Sequence, residues 1–267
     1  MSTSAKEWNA RYYHRAALPH DAWGSNVVSA AALSGHERVA DVGCGTGRVT
    51  EQLLEQLPDG HVIAVDRSAN MLEEARASLE ARFGQRVSFL QRDLLELTPA
   101  DIGEPVDVVF STATFHWIQD HDTLFRNLFA IIKPGGRLVA QCGGGPNLQR
   151  HVVRAEALMA GPEYRGWFDG WVVPKFYAEA EGTARRLRDT GFVDVDTHLV
   201  EAPVVLKDAA EFSTYMTNIV FREHILQIPD EAQRSAFIDE LTRLSALDEI
   251  PFLLDYWRLN MSGERPL

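Results

Sequence analysis

Two stretches of the chain carry residues whose types and spacing suit small-molecule chemistry. The first is Val39–Arg48, VADVGCGTGR, where Asp41 precedes glycines at alternate positions, Gly43, Gly45 and Gly47. Backbone N–H groups exposed at such a turn, with the positive end of a helix dipole behind them, hold an anionic or polar ligand. The dinucleotide fingerprint G-x-G-x-x-G fits Gly43 and Gly45, but its sixth position is Arg48. The third glycine of that motif allows close helix–strand packing, and arginine cannot replace it. A P-loop needs Gly-Lys-Ser/Thr after the turn, and none follows. The second stretch is Ser111–Trp117, STATFHW, which sets His116 beside Trp117. An imidazole can act as base or donor, and an indole N–H can only donate.

These residues need a frame, and the apolar periodicity supplies one. Arg38–Val42 reads as a first strand, with Val49, Leu53, Leu54 and Leu57 forming the apolar face of the following helix. Past the turn Pro58-Asp59-Gly60, His61–Asp66 is a second strand ending in a carboxylate. Ser68 is the N-cap of a helix carrying Met71, Leu72, Ala75 and Leu79. Val87–Leu90 is a third strand that ends near Asp93, and Pro105–Phe110 a fourth that runs into STATFHW. Asp120 or Asp122 opens a helix with Leu124, Leu128 and Ile131 on one face. Lys133-Pro134-Gly135-Gly136 stops it and turns the chain into a fifth strand, Arg137–Gln141. Strands apolar on both faces, alternating with helices, predict an α/β fold with a parallel sheet covered on both sides. The tail of a central strand in such a sheet points into the ligand crevice, so Thr112, His116 and Trp117 are substrate-contact candidates.

The flanks are less regular. Residues 25–35 are predicted helical and closed by Gly35. After Gly143-Gly144-Gly145-Pro146 come a helix over 147–160, an irregular aromatic stretch from Tyr164 to Tyr177, and a helix over 179–190 ending at Gly191. Strands follow at Val193–Leu199 and Ala202–Leu206, then helices over 208–227 and 230–247 separated by Pro229, and a last strand, Phe252–Asn260. With no internal repeat or flexible linker, residues 1–267 read as a single domain: a core over 36–142, a flap and helix over 1–35, and cap segments over 145–178 and 207–247. The cap aromatics Tyr164, Trp167, Phe168, Trp171, Phe176, Tyr177, Phe212, Tyr215 and Phe221 roof a pocket or, for most, simply join cap to core.

Bulk properties remove several function classes. A formal net charge of −12 without a basic run argues against nucleic acid as the partner. No apolar run reaches the roughly 18 residues of a membrane span, and Met1–Glu7 lacks a signal-peptide core. Two cysteines, Cys44 and Cys142, are too few for a disulfide framework and lack metal-ligand spacing. The expectation is a reduced, cytoplasmic protein, monomer or homodimer, with no metal, membrane or nucleic-acid partner.

Asp41–Gly47, Asp66 at the second strand end, Asp93-Leu94 at the third, the Ser111–Trp117 tail and the Lys133–Leu138 turn together resemble the class I S-adenosylmethionine-dependent methyltransferases. Trp8-Asn9, Tyr13 and the run Thr114–His121 look most like the trans-aconitate methyltransferase group of small-molecule enzymes. The resemblance implies a Rossmann-like, doubly wound, mostly parallel seven-stranded sheet with helices on both faces and helical cap insertions. It implies S-adenosyl-L-methionine as cofactor and S-adenosyl-L-homocysteine as product. Gly43, Cys44, Gly45 and Gly47 would take its amino-acid end, with Asp41 a partner for the ammonium directly or through water. Asp66 would accept the ribose hydroxyls, while Arg67 and Met71 line the adenine site. Asp93 would accept the adenine amino group beside the Leu94 N–H, and Thr112 would also touch the cofactor. Trp8 and Tyr13, or Tyr12 one register earlier, would lie over the cofactor.

The acceptor stays open at this level. A carboxylate nucleophile needs donors, which His116 and Trp117 can supply; a phenol or hydroxyl needs a base, which His116 can also be. Amines, quinone precursors and natural products are alternatives for O-, N- or C-methylation, as is a non-catalytic member of the fold that binds cofactor or partner. Arg11, Arg15, Arg154, Arg165 and Arg222 are candidates to neutralise an acidic substrate.

Overall fold

Strand and helix alternate as the periodicity demands, and the strands assemble around a reversal of order. The computed structural model describes residues 20–267; the expectations for Trp8, Arg11, Tyr12, Tyr13 and Arg15 lie outside the described residues. Strands β1 (Arg38–Val42), β2 (His61–Asp66), β3 (Val87–Gln91), β4 (Val106–Thr112) and β5 (Ile132–Gly143) pair in parallel. Later strands are β6 (Val193–Glu201), a short pair β7 (Val204–Val205) and β8 (Leu253–Leu254), and β9 (Trp257–Glu264). β9 inserts antiparallel between β5 and β6, so the seven-stranded order is β3-β2-β1-β4-β5-β9-β6. The order turns back between β1 and β4, which is where an open α/β sheet leaves a crevice at its carboxyl ends.

Alternate strand residues feed two cores. Val39, Val62, Ala64, Val108 and Phe110 pack on one face with α1 (His20–Ala30), α2 (Arg48–Gln56) and α3 (Ala69–Phe83). Ala40, Val42, Ile63, Val65 and Val109 pack on the other, which is closed by α4 (Pro99–Ile102), α5 (His121–Ile131) and a later helix, Ala180–Thr190. Each fully buried phenylalanine, such as Phe110 or Phe125, contributes about 1.5–3 kcal/mol. The segments outside the sheet, α6 (Gln149–Met159), α7 (Arg165–Phe168), α9 (Ala209–Tyr215), α10 (Arg222–Ile225) and α11 (Glu231–Ala246), enclose a third core around Phe212, Phe221, Phe237 and Leu254; the helix Ala180–Thr190 is α8. Among the described residues no helix is long and apolar enough to cross a membrane.

Several boundaries depart from expectation, and β5, expected to begin at Arg137, already begins at Ile132. The first helix stops at Ala30 rather than at Gly35. Ala32 already has φ +47°, and the Glu37 carboxylate gathers the N–H groups of Ser34, Gly35 and His36. The helix expected over 208–227 is three pieces, with a π-turn at Met216–Val220 between α9 and α10. The expected strand Phe252–Asn260 is two: Phe252, at φ +59°, stands before β8, and the chain leaves β8 at Leu254 and enters β9 at Trp257.

Candidate functional site

β1 ends at Val42, and the next residues turn sharply. Gly43, Gly45 and Gly47 have φ of +79°, +55° and +82°, a region that strains other residues. The Gly43 and Cys44 N–H groups both donate to the Val65 carbonyl, at 2.7 and 3.0 Å, which ties the turn to β2. A Cβ on Gly43 would fall 2.1 Å from Thr114 Oγ1, and one on Gly47 would fall 2.8 Å from Leu79. One on Gly45 would meet nothing, so that residue leaves its space to the adjoining cavity.

Asp66 closes β2 against this turn. Its Oδ2 accepts the Gly45 N–H and its Oδ1 the Ser68 N–H, both at 2.9 Å. Burial pushes its carboxyl above the usual range, while those N–H bonds oppose the shift. Each oxygen keeps a further lone pair for a donor in the cavity. Asp93, anchored through the Leu95 N–H at 2.9 Å, lines the same end with Leu94, Arg67 and Met71. Asp41 and Gly47 do not line the cavity. Asp41 is buried behind the turn, where Oδ2 accepts the Thr50 hydroxyl at 2.6 Å. Burial, with Asp66 nearby and against the Thr50 bond, pushes Asp41 up to about 7. Direct contact of Asp41 with a ligand is thus replaced by support of the turn from beneath, and Gly47 serves packing against α3.

The tail of β4 forms the middle of the wall. Thr112 lines it, and Ala113 takes φ +55°, a conformation costing a non-glycine residue about 1–3 kcal/mol. The Ala113 N–H donates to Gln141 O at 2.8 Å. The Thr114 hydroxyl reaches Gly43 O and Thr112 O, at 3.1 and 3.0 Å, so the β4 tail and the glycine turn hold each other. One 3₁₀ turn, Phe115–Trp117, then brings His116 and Trp117 to the cavity. His116 Nδ1 accepts the Gly143 N–H at 3.3 Å. Its ring sits between those of Trp117 and Tyr177, with centroids 5.3 and 6.0 Å away.

The far wall comes from the cap and β9. Of the cap aromatics named from the sequence, Tyr177 lines the cavity, whereas Tyr164, Phe168, Phe212, Tyr215 and Phe221 are buried in the cap core. Arg154, Arg165 and Arg222 stay out of the wall; Arg154 pairs with Asp248 at 2.5 Å and Arg222 with Glu223. Two other cations line it instead, Lys175 and Arg258. Lys175 Nζ donates to Val220 O at 2.5 Å and lies 4.6 Å from the Trp117 ring centroid. Burial draws it down to about 8, with Glu223 opposing. Arg258 is 3% exposed, its Nε donating to Gln141 Oε1 at 3.4 Å and its guanidinium lying 4.4 Å over Trp23. Sequence reading missed both, although a cation inside an otherwise apolar or aromatic run is the signal that marks them.

Comparison with known proteins agrees with this geometry. A methyltransferase domain family matches residues 39–136. Over 245 residues the chain is 27% identical to a trans-aconitate 2-methyltransferase of Paracidovorax citrulli, covering 87% of this chain and 86% of that protein. It is 30% identical over 197 residues to a trans-aconitate 2-methyltransferase of Methylobacterium nodulans, covering 73% of this chain and 68% of that one. Among solved structures, Haemonchus contortus phosphoethanolamine N-methyltransferase 2 in complex with S-adenosyl-L-methionine gives a TM-score of 0.56 at 18% identity, over 92% of this chain and 53% of that chain. Magnesium protoporphyrin IX methyltransferase from Synechocystis with bound S-adenosylhomocysteine gives 0.57 at 15%, over 92% and 83%. These two likenesses speak to the fold.

Fold and site together define an S-adenosylmethionine-dependent methyltransferase. The chain belongs to the class I family of those enzymes, and its relatives there include the trans-aconitate 2-methyltransferases just described. The open Cβ position at Gly45, the paired lone pairs of Asp66 and the strand-end Asp93 fit that cofactor.

Proposed function

We propose that this enzyme transfers a methyl group to a carboxylate oxygen of a small organic acid, releasing a methyl ester and S-adenosyl-L-homocysteine. When bound, S-adenosyl-L-methionine supplies an electrophilic methyl group on a cationic sulfur. Gly43, Cys44 and Gly45 give its amino-acid end close backbone approach, and Asp66, preset by two N–H bonds, accepts from the ribose hydroxyls. Asp93 takes the adenine amino group and the Leu94 N–H a ring nitrogen, with Arg67 and Met71 alongside. Trp8 and Tyr13 belong to the same proposal as covers of the cofactor. Thr112, His116 and Trp117 position the acceptor.

The observation that carries the carboxylate reading is the Gly143 N–H to His116 Nδ1 bond. A ring nitrogen that accepts from an N–H holds no proton, so the neutral imidazole carries its proton on Nε2. His116 then presents a donor where a phenol or alcohol would need a base. A carboxylate arrives ionised at neutral pH and asks only for donors and alignment, and Trp117 Nε1 is donor-only as well. The names of the two relatives described above support the same substrate class.

The test offers the enzyme methyl-labelled S-adenosyl-L-methionine with pools of carboxylic acids, phenols and amines. Label is expected on acids and is released as methanol by mild alkaline hydrolysis. His116→Gln, which keeps a donor, should retain more activity than His116→Phe. Label on phenols or amines alone overturns the reading.

A further inference from the structure

Arg258 and Lys175 line one cavity in a chain whose acidic residues outnumber its basic ones, 38 to 26. Yet among the described residues neither stands within ion-pair distance of a carboxylate. Arg258 is held from behind: Nε is bonded to Gln141, and Gln141 Nε2 in turn donates to Asn260 Oδ1 at 2.7 Å. Trp23 covers one face of the guanidinium, and the register of β9 sets Arg258 opposite Gly143, the residue that orients His116. The two terminal nitrogens of this fork have no acceptor among the described residues. A guanidinium presents a planar pair of donors matched to a carboxylate. Lys175 adds a point charge from the cap side. Burying a guanidinium as deeply as that of Arg258, 3% exposed and with no carboxylate within ion-pair distance among the described residues, is unfavourable unless an anion joins it.

Resting on the carboxylate reading above, we propose that Arg258, assisted by Lys175, holds a second carboxylate of the acceptor acid and so selects polycarboxylates. His116 and Trp117 belong to the carboxylate that receives the methyl group. A distal carboxylate on the Arg258 fork fixes which end of the acid faces the donor. A monocarboxylic acid leaves the fork bare and loses that alignment. Arg258 is in these terms a specificity-determining residue.

The experiment compares propane-1,2,3-tricarboxylate with butyrate on the full chain saturated with S-adenosyl-L-homocysteine, by calorimetry and thermal melting. Wild type should bind the tricarboxylate more tightly by about 30-fold or more, the lower end of the effect of truncating a buried charge pair. Arg258→Met should abolish that preference while S-adenosyl-L-homocysteine affinity holds and the melting temperature stays level or rises. Arg258→Lys, with charge but no fork, should keep part of the preference. If Arg258→Met instead loses cofactor-product affinity or melts early, Lys175→Met provides the second measurement and should cut the preference without that loss. A preference that survives in both variants, or one absent from wild type, overturns the proposal. Turnover separates the two readings: acids esterified without any preference sink the anchor alone, whereas phenols labelled and acids ignored sink the carboxylate reading itself.

Discussion

Gly43→Ala isolates the contact that locks the cofactor turn to the acceptor wall. At φ +79° an alanine pays the left-handed penalty, about 1–2 kcal/mol. Its Cβ would also fall 2.1 Å from Oγ1, 2.3 Å from Cγ2 and 2.6 Å from Cβ of Thr114, an overpacking worth about 1–3 kcal/mol more. The single variant should therefore lose about 2–5 kcal/mol, which is a large part of a typical domain's stability. Thr114→Gly alone loses the hydroxyl bonds to Gly43 O and Thr112 O, about 1 kcal/mol each. In the double variant all three clashing atoms are gone, so the overpacking share disappears and only the backbone penalty remains. The double variant should be more stable than the sum of the singles by about 1–3 kcal/mol, read as a double-mutant cycle in urea unfolding. Gly43→Ala should also weaken S-adenosyl-L-homocysteine binding in calorimetry, because the turn has to move. Single effects that add to within about 0.5 kcal/mol would refute the reasoning.

Gly45→Ala meets open space, so it should cost stability only through its φ of +55° while S-adenosyl-L-homocysteine affinity falls more than for its size; unchanged affinity would remove Gly45 from the cavity wall. Asp66→Ala deletes two acceptor oxygens facing the cavity, and calorimetry should show at least about a tenfold loss of S-adenosyl-L-homocysteine affinity, an intact titration counting against the ribose assignment. His224 is buried between Trp171 and Phe221, and burial, then Lys175, lowers it from 6.5 to about 3. The unfolded chain therefore binds its proton first, and stability is lost as pH falls from about 6.5 towards 3, about 2 kcal/mol by pH 5. His224→Phe should flatten the drop between pH 7 and 5 by that amount in urea unfolding, and equal drops in both proteins would contradict it.

The cofactor half of the site was legible because the backbone builds it. Glycine is the residue that takes the positive φ values after β1 without strain, and β2, buried on both faces, reads as the apolar run that ends at Asp66, while β3 at the sheet edge carries a shorter one that ends near Asp93. The caps followed the same logic: Ser68 accepts the Met71 N–H and Asp120 the Thr123 N–H, as their positions before apolar helical patterns imply. Where backbone conformation broke the pattern, sequence reading ran on too far. Ala32 and Phe252 sit at positive φ without being glycine, and no residue type announces that. The π-turn at Met216–Val220 likewise hid inside a helical periodicity, and it places Ile219 and Val220 in the cavity wall.

The acceptor half was hidden for a different reason: its side chains converge from separate elements. Arg258 meets the wall only because β9 inserts antiparallel beside β5, and Lys175 only because the Phe176 N–H binds His116 O at 2.9 Å and draws that segment down. Such pairings are long-range and leave no local period to read. They also set what a change at the acceptor end does. The cap packs around its own apolar core, apart from the two cores that clamp the sheet. Lys175 and Arg258 reach the cavity without filling any of the three cores. Replacing them should therefore alter which acid is bound far more than how firmly the sheet is held. Replacing Gly43 or Thr114, which bind the two halves to each other, should do both at once.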